Sequence, residues 1–262
     1  MCQDCGCSLP RFGMQSAHHD KHSHDELNTN PQLNDAKTLS LIHKILDKND
    51  VEAAHNRSHF ESLSISAYNL MSSPGSGKTT LLEYLREYTD LVYGVIEGDL
   101  ETSRDADRLL AKGITAVQIQ TGSACHLDAF MVHGALHKLN QPQGSIAFVE
   151  NVGNLVCPAS YDVGTHKNIV LLSVPEGDDK IPKYPVMFRR ADLVIITKCD
   201  LLPYFDFSVE EARSSLAALN PQCPVIELSI KDGTGMQAVA EWLAHDHTER
   251  FSSKNHHNKE QC

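Results

Sequence analysis

The run Ser72-Ser73-Pro74-Gly75-Ser76-Gly77-Lys78-Thr79-Thr80 restricts what this chain can fold into more than any other segment. A short apolar stretch at 67–71 precedes it, and a helical pattern at 78–88 follows. Strand, glycine-rich turn and helix in that order make a phosphate-binding loop. Backbone N–H groups of the turn point at the phosphates, and the helix N-terminus adds its positive dipole end. Gly75, Ser76, Gly77, Lys78, Thr79 and Thr80 are the expected phosphate contacts. Lys78 is placed to reach the β- and γ-phosphates, and the Thr79 hydroxyl to ligate Mg²⁺. Ser72 stands where the first glycine of G-x-x-x-x-G-K-[ST] is usual.

The rest of the chain agrees with a fold that displays such a loop. Short apolar runs recur at 91–96, 116–119, 146–149, 169–174, 193–196 and 225–228. Several are apolar throughout rather than alternating, as strands buried on both faces of a parallel sheet read. Helical patterns fall between them at 104–111, 127–139, 208–219 and 236–243, with Ser208 and Glu211 at capping-box spacing. The expected fold is α/β of the P-loop NTPase kind, a mostly parallel central sheet with helices on both faces. Residues 1–33 are polar and rich in His and Asn, and read as a flexible metal-binding tail. Residues 34–250 read as the nucleotide-binding domain, led by an amphipathic helix with Leu39, Ile42, Leu46 and Val51 on one face. Residues 251–262 read as a frayed end.

Two later segments choose the base. Thr197-Lys198-Cys199-Asp200 ends an apolar run and is similar to the Asn-Lys-x-Asp sequence that reads guanine. A carboxylate at Asp200 accepts from the N1 and N2 donors of guanine, which adenine does not offer in that arrangement, and buried hydrogen bonds discriminate strongly. Thr197 replaces the usual Asn and removes an amide contact. Ser229-Ile230-Lys231 follows the next strand and is similar to a loop that sets a backbone N–H on guanine O6. Together they favour GTP over ATP. Asp99 and Glu150 end strands, where an open α/β sheet binds its ligand, and are the candidates for Mg²⁺ and the hydrolysis switch beside Thr79. Glu150 opens Glu150-Asn151-Val152-Gly153, in the place of a switch aspartate. With no water-positioning Gln or arginine finger in view, turnover is expected to be slow.

Cysteine and histidine carry the second theme. Of the eight cysteines, Cys2, Cys5 and Cys7 crowd the N-terminus, followed by His18, His19, His22 and His24. In a reducing compartment such clusters bind metal more often than they form disulfides. The three thiolates with the terminal amine supply four donors, square-planar for Ni²⁺ or tetrahedral for Zn²⁺, and spacing does not choose between them. Cys125-His126 at a loop-to-helix start and Cys157, seven residues beyond Glu150, form a second candidate metal set. Spacing alone leaves these open to a structural role as buried thiols. Cys199 and Cys223 read as core or loop residues.

The net charge of −11 argues against nucleic acid and anionic membrane as partners. No apolar run approaches the roughly 20 residues of a membrane span. The N-terminus lacks a secretory signal pattern, so the expected location is cytoplasmic.

Taken together, Met1-Cys2…Cys5-Gly6-Cys7, residues 72–80, Glu97-Gly98-Asp99, Thr121-Gly122…Cys125-His126-Leu127-Asp128-Ala129 and Glu150-Asn151-Val152-Gly153-Asn154-Leu155-Val156-Cys157-Pro158-Ala159 resemble the HypB family of hydrogenase nickel-incorporation GTPases. The resemblance implies the nucleotide-dimerising class of P-loop GTPases, with metal on Cys125, His126 and Cys157 near a homodimer interface. It implies tight nickel binding at Cys2, Cys5 and Cys7. Implied partners are a HypA-type nickel metallochaperone and the precursor of the [NiFe]-hydrogenase large subunit. Ser72 and Glu150 match the family pattern, and Thr197 departs from its Asn. Two other readings of the same residues are a nickel store on a GTPase fold and an accessory GTPase for urease; the Cys-x-x-Cys-Gly-Cys start and the Cys157 segment speak against urease.

Overall fold

A computed structural model of the chain describes residues 36–99, 104–122 and 124–252, with side chains from residue 44 onward. Seven strands are formed: β1 (Ser66–Ser72), β2 (Tyr93–Asp99), β3 (Thr115–Gln120), β4 (Ile146–Glu150), β5 (Lys167–Ser173), β6 (Leu193–Thr197) and β7 (Val225–Glu227). They make one sheet in the order β3-β2-β4-β1-β5-β6-β7. Every pairing is parallel, so the sheet is more uniform than the mostly parallel one expected. Parallel neighbours need crossovers, and helices supply them on both faces.

The helices are α1 (Ala36–Ser62), α2 (Lys78–Leu85), α3 (Arg104–Ala111), α4 (Ala129–Leu139), α5 (Lys180–Lys183), α6 (Pro185–Arg189), α7 (Val209–Leu219) and α8 (Met236–Ser252). Alternation along the central strands divides the core. Tyr68 and Leu70 of β1 join Leu82, Phe148, Ile195, Val239 and Leu243 on one face. Ala67 of β1 faces the other side with Phe60, Val132, Leu136 and Val149, beneath α1 and α4. Met71 shares that side with Val170, Leu172, Ile196, Phe188 and Leu216, beneath α5, α6 and α7. β1 is buried along its whole length, which explains why its sequence does not alternate in polarity.

Element boundaries moved where a cap or a contact decided them. α2 ends at Leu85 rather than at residue 88. α4 starts at Ala129, because the Asp128 side chain accepts the Met131 N–H as an N-cap. Ser208 caps α7 through the Glu211 N–H at 3.1 Å, but its own N–H donates to Asp178 at 2.7 Å, which replaces the reciprocal half of the capping box. α8 runs on to Ser252 and takes in Phe251, which the sequence reading put in the frayed end; Phe251 packs edge-on against His247. α5 and α6 were not foreseen.

On α1, Val51 is 60% exposed and does not belong to the buried face, which carries Leu46, Ala53 and Phe60. Two asparagines do the rest of the docking. Asn49 donates to the Asp162 carbonyl at 2.8 Å and accepts the Ala129 N–H at 2.9 Å. Asn56, fully buried, donates to the carbonyls of Ala129 at 2.8 Å and Val163 at 3.2 Å. α1 is therefore bonded to α4 and to the 162–163 loop through polar groups that have no water to fall back on. Among the described residues no helix is long and apolar enough to cross a membrane.

Replacing Asn56 with Ala strands two buried carbonyls, and the expected loss is about 1–3 kcal/mol. Urea unfolding checks this: the midpoint should fall while the slope stays at the wild-type value.

Candidate nucleotide and metal site

β1 lies between β4 and β5, so the chain leaves its carboxyl end at the switch point of the sheet. The loop that follows is held from several directions. Gly77 is in the left-handed region at φ 97° and turns the chain into α2, a conformation that penalises any side chain. The Thr197 hydroxyl donates to the Ser76 carbonyl at 2.8 Å, and the Lys198 ammonium to the Gly75 carbonyl at 2.7 Å. Ser76 Oγ sits 2.5 Å from a carboxylate oxygen of Glu176, which also closes a capping box with Ser173 at the end of β5. The Lys78 ammonium donates to Ser72 Oγ at 3.0 Å. Burial lowers its pKa, and the carboxylates of Glu150, Asp105, Glu176 and Glu97 act the other way.

Those carboxylates are the chemical centre of the loop. The Thr79 hydroxyl donates to Glu150 Oε1 at 2.7 Å. Glu97 on β2 stands beside Glu150 on β4 in the sheet register, and both are buried, 2% and 5% exposed. Each leaves one oxygen, Glu97 Oε2 and Glu150 Oε2, without a hydrogen-bond partner. Burial first, then the charges of Glu150, Asp99 and Asp105, push the Glu97 carboxyl up to about 8. Burial raises Glu150 to about 7, against the pull of Lys78 and the Thr79 hydrogen bond. Buried, oxygen-only and short of a partner, this pair fits a hard divalent cation such as Mg²⁺ beside Thr79. Asp99 at the end of β2 acts on Glu97 through its charge.

At the other end of the loop Ser76, Gly77, Thr80, Thr197, Lys198, Asp200, Leu228, Ile230 and Lys231 line one pocket, which gathers the predicted base-reading segments against the predicted phosphate loop. Thr197 itself is buried and spends its hydroxyl on the Ser76 carbonyl, so it braces the loop. Ser229 donates its N–H to the Thr234 carbonyl at 3.0 Å and its hydroxyl to Asp200 at 3.3 Å. With the Ser229 N–H taken, Ile230 and Lys231 are the residues left in this loop for the expected backbone contact to guanine O6.

The second candidate set also comes together. Cys125 Sγ lies 3.1 Å from Cys157 Sγ and 3.8 Å from His126 Nδ1, and one donor atom from each of the three residues falls within 4.8 Å of the others. Neither thiol is in a disulfide. Cys157 is buried at the start of a 3₁₀ turn (Cys157–Ala159). The His126 ring stacks on Tyr161 with centroids 4.0 Å apart, and burial holds its pKa below the ordinary value, opposed by Asp128. Two soft thiols and a neutral imidazole suit Ni²⁺ or Zn²⁺ and not Mg²⁺.

Residues 66–227 match the family model described as the CobW/HypB/UreG nucleotide-binding domain. Over 237 residues the chain is 48% identical to the hydrogenase/urease maturation factor HypB of Helicobacter hepaticus, covering 89% of this chain and 97% of that protein. The chain belongs to the HypB family. The hydrogenase maturation factor HypB of Azotobacter vinelandii is 50% identical over 82% of this chain and 70% of its own length. A crystal structure of HypB from Helicobacter pylori in complex with nickel superposes with a TM-score of 0.75 at 46% identity, covering 78% of this chain and 97% of that one.

For this HypB-family chain, residues of the N-terminal set (Cys2, Cys5, Cys7) and the histidines of the tail lie outside the described residues. Sequence reasoning missed Glu97 as the partner of Glu150. The available signal was a charged residue inside the apolar run at 91–96 and its continuation, where two-sided burial leaves no water for it. It also missed Glu176, Tyr161 and Asn151, which act only through tertiary neighbours.

The raised carboxyl values set a pH dependence. Unfolded, these groups titrate near their ordinary value of 4.5, so the stability present below that value is lost as pH rises from there through about 7 to 8. In nucleotide- and Mg²⁺-free protein, Glu97→Gln should therefore flatten the loss of stability between pH 5.5 and 8.5 by about 1 kcal/mol or more. Denaturant melts at both pH values check it; a variant curve parallel to the wild-type curve contradicts the assignment.

Proposed function

We propose that this chain hydrolyses GTP and uses the nucleotide cycle to hold and release nickel for the large-subunit precursor of a [NiFe]-hydrogenase. The supporting observation is that the segment from Glu150 to Cys157 touches both sites. At one end Glu150 accepts from Thr79. Asn151 Oδ1 then accepts the Leu127 N–H at 3.1 Å, two residues from Cys125. Gly153 lies so close to Pro74 that a Cβ there would come within 2.8 Å of the loop backbone. Asn154 donates to the Cys125 carbonyl at 3.4 Å, and the segment ends with Cys157 against Cys125. A shift at Glu150 when a phosphate and its Mg²⁺ bind is thus carried by packed contacts to both thiols.

In this reading Lys78 would neutralise phosphate charge, and Thr79, Glu150 and Glu97, with Asp99 at the end of β2, would hold Mg²⁺, which when bound would screen phosphate charge. Asp200 selects guanine. Nickel is cargo at Cys125, His126 and Cys157. Two thiols 3.1 Å apart can reach one soft or borderline ion, Ni²⁺ or Zn²⁺. Three donors per chain leave the site open to water or to a second copy. Exposed Phe130 and Val156 beside it support a homodimer formed there. A HypA-type metallochaperone as nickel source, the N-terminal set Cys2, Cys5 and Cys7 as a further nickel site, Zn²⁺ as an alternative cargo, and a cytoplasmic location complete the proposal. The Helicobacter hepaticus relative is named for urease as well as hydrogenase, and urease is therefore the second candidate client.

Lys78→Ala should cut GTP hydrolysis by about 100-fold or more while nickel binding at Cys125, His126 and Cys157 survives. Asp200→Ala should bring GTP and ATP affinities together. Nickel stoichiometry and oligomer mass, measured with GDP and with a non-hydrolysable GTP analogue, test the coupling; if neither depends on nucleotide, the coupling is wrong. Co-purification with the hydrogenase or the urease precursor decides the client.

A further inference from the structure

On the outer face formed by α1 and α4, His133 and His137 stand one helical turn apart, and their Nε2 atoms are 3.4 Å from each other. Two ligands about 2.0–2.1 Å from one metal ion at a tetrahedral angle lie roughly 3.4 Å apart. Imidazoles at i and i+4 on a helix are a recognised chelating pair. The neighbours settle which nitrogens are free to bind. Both N–H bonds of the Asn56 amide go to the Ala129 and Val163 carbonyls, so its Oδ1 can only accept. That oxygen is 3.0 Å from His133 Nδ1, and Glu52 Oε1 is also 3.0 Å from the same nitrogen. His133 Nδ1 therefore carries the proton, and Nε2, the atom facing His137, keeps its lone pair. A carboxylate behind a histidine in this way is the arrangement that orients metal-ligating imidazoles.

We propose that His133 and His137 bind one divalent ion of the borderline class, Ni²⁺ or Zn²⁺, with Glu52 and Asn56 as positioning residues for His133. His59 on α1 meets His137 edge-on with ring centroids 5.2 Å apart. The side chain of His133 is 40% exposed and His137 is exposed, so water can complete the coordination and the ion can exchange. This site shares no ligand with Cys125, His126 and Cys157, although the same segment leads from His126 into α4. It does not depend on GTP hydrolysis.

The full chain, treated with diethyl pyrocarbonate with and without saturating Ni²⁺ or Zn²⁺, reports each histidine separately when labelling is read by peptide mass spectrometry. Protection of His133 and His137 by metal is expected. Glu52→Gln should move the protecting metal concentration up by about 10- to 100-fold without changing protection of His126, and His137→Ala should leave His133 labelled at its metal-free rate. The proposal is overturned if His133 and His137 label at their metal-free rates under metal that already protects His126. It is equally overturned if His137→Ala leaves His133 protected. Circular dichroism melts of both variants show whether the fold is intact, and wild-type labelling decides the question without them.

Discussion

Three ionisable groups, Lys78, Glu97 and Glu150, are buried together where β2 and β4 end and α2 begins. Taking charges out of water is costly unless a partner stands close, and here two carboxylates face one ammonium. Burial lifts both carboxyl pKa values and lowers that of the lysine, which leaves the charge imbalance in place. It is relieved when phosphate takes up the lysine's charge and a divalent cation takes up that of the carboxylates. The rest of the site is arranged around this group. Thr79 and Ser72 bond to its members, Thr197 and Lys198 tie the loop carbonyls to β6 and its following turn, and Glu176 fixes the loop from β5.

The segment from Glu150 to Cys157 begins at the cluster and ends at the thiols. Asn151, Gly153 and Asn154 bind it to the Leu127 amide, the phosphate loop and the Cys125 carbonyl in turn. Nucleotide chemistry and soft-metal chemistry need different ligands, carboxylate and hydroxyl against thiol and imidazole. One short stretch of backbone brings the two sets close without mixing them. α1 and α4 then form the wall behind the thiols, locked by Asn49 and Asn56.

The strands were legible because burial on both faces leaves no alternative to continuous apolar runs, as in Leu193–Thr197 and Ile146–Glu150. The phosphate loop was legible because its chemistry is local, a glycine turn and the amides of one helix end. α5 and α6 were not, since four and five residues either side of Pro185 show no helical period. Val51 misled because its spacing suits a helical face, yet the face toward α4 is set by Asn49, Ala53, Asn56 and Phe60. Polar residues that serve a core do not register in a hydrophobic pattern.

From residues alone came the fold class, the phosphate loop, the preference for guanine and the presence of metal-binding side chains, all of which depend on neighbours in sequence. Strand order lay beyond reach, and with it the adjacency of Glu97 and Glu150, which sit 53 positions apart in the chain but opposite one another in the sheet register. The same holds for Cys125 and Cys157, whose 3.1 Å separation spacing could not distinguish from two unrelated buried thiols. It holds for Glu52 and Asn56 behind His133. A chain sequence records which donors exist. Distances between donors on different strands and helices follow from register and packing, and those alone bring side chains within reach of one ion.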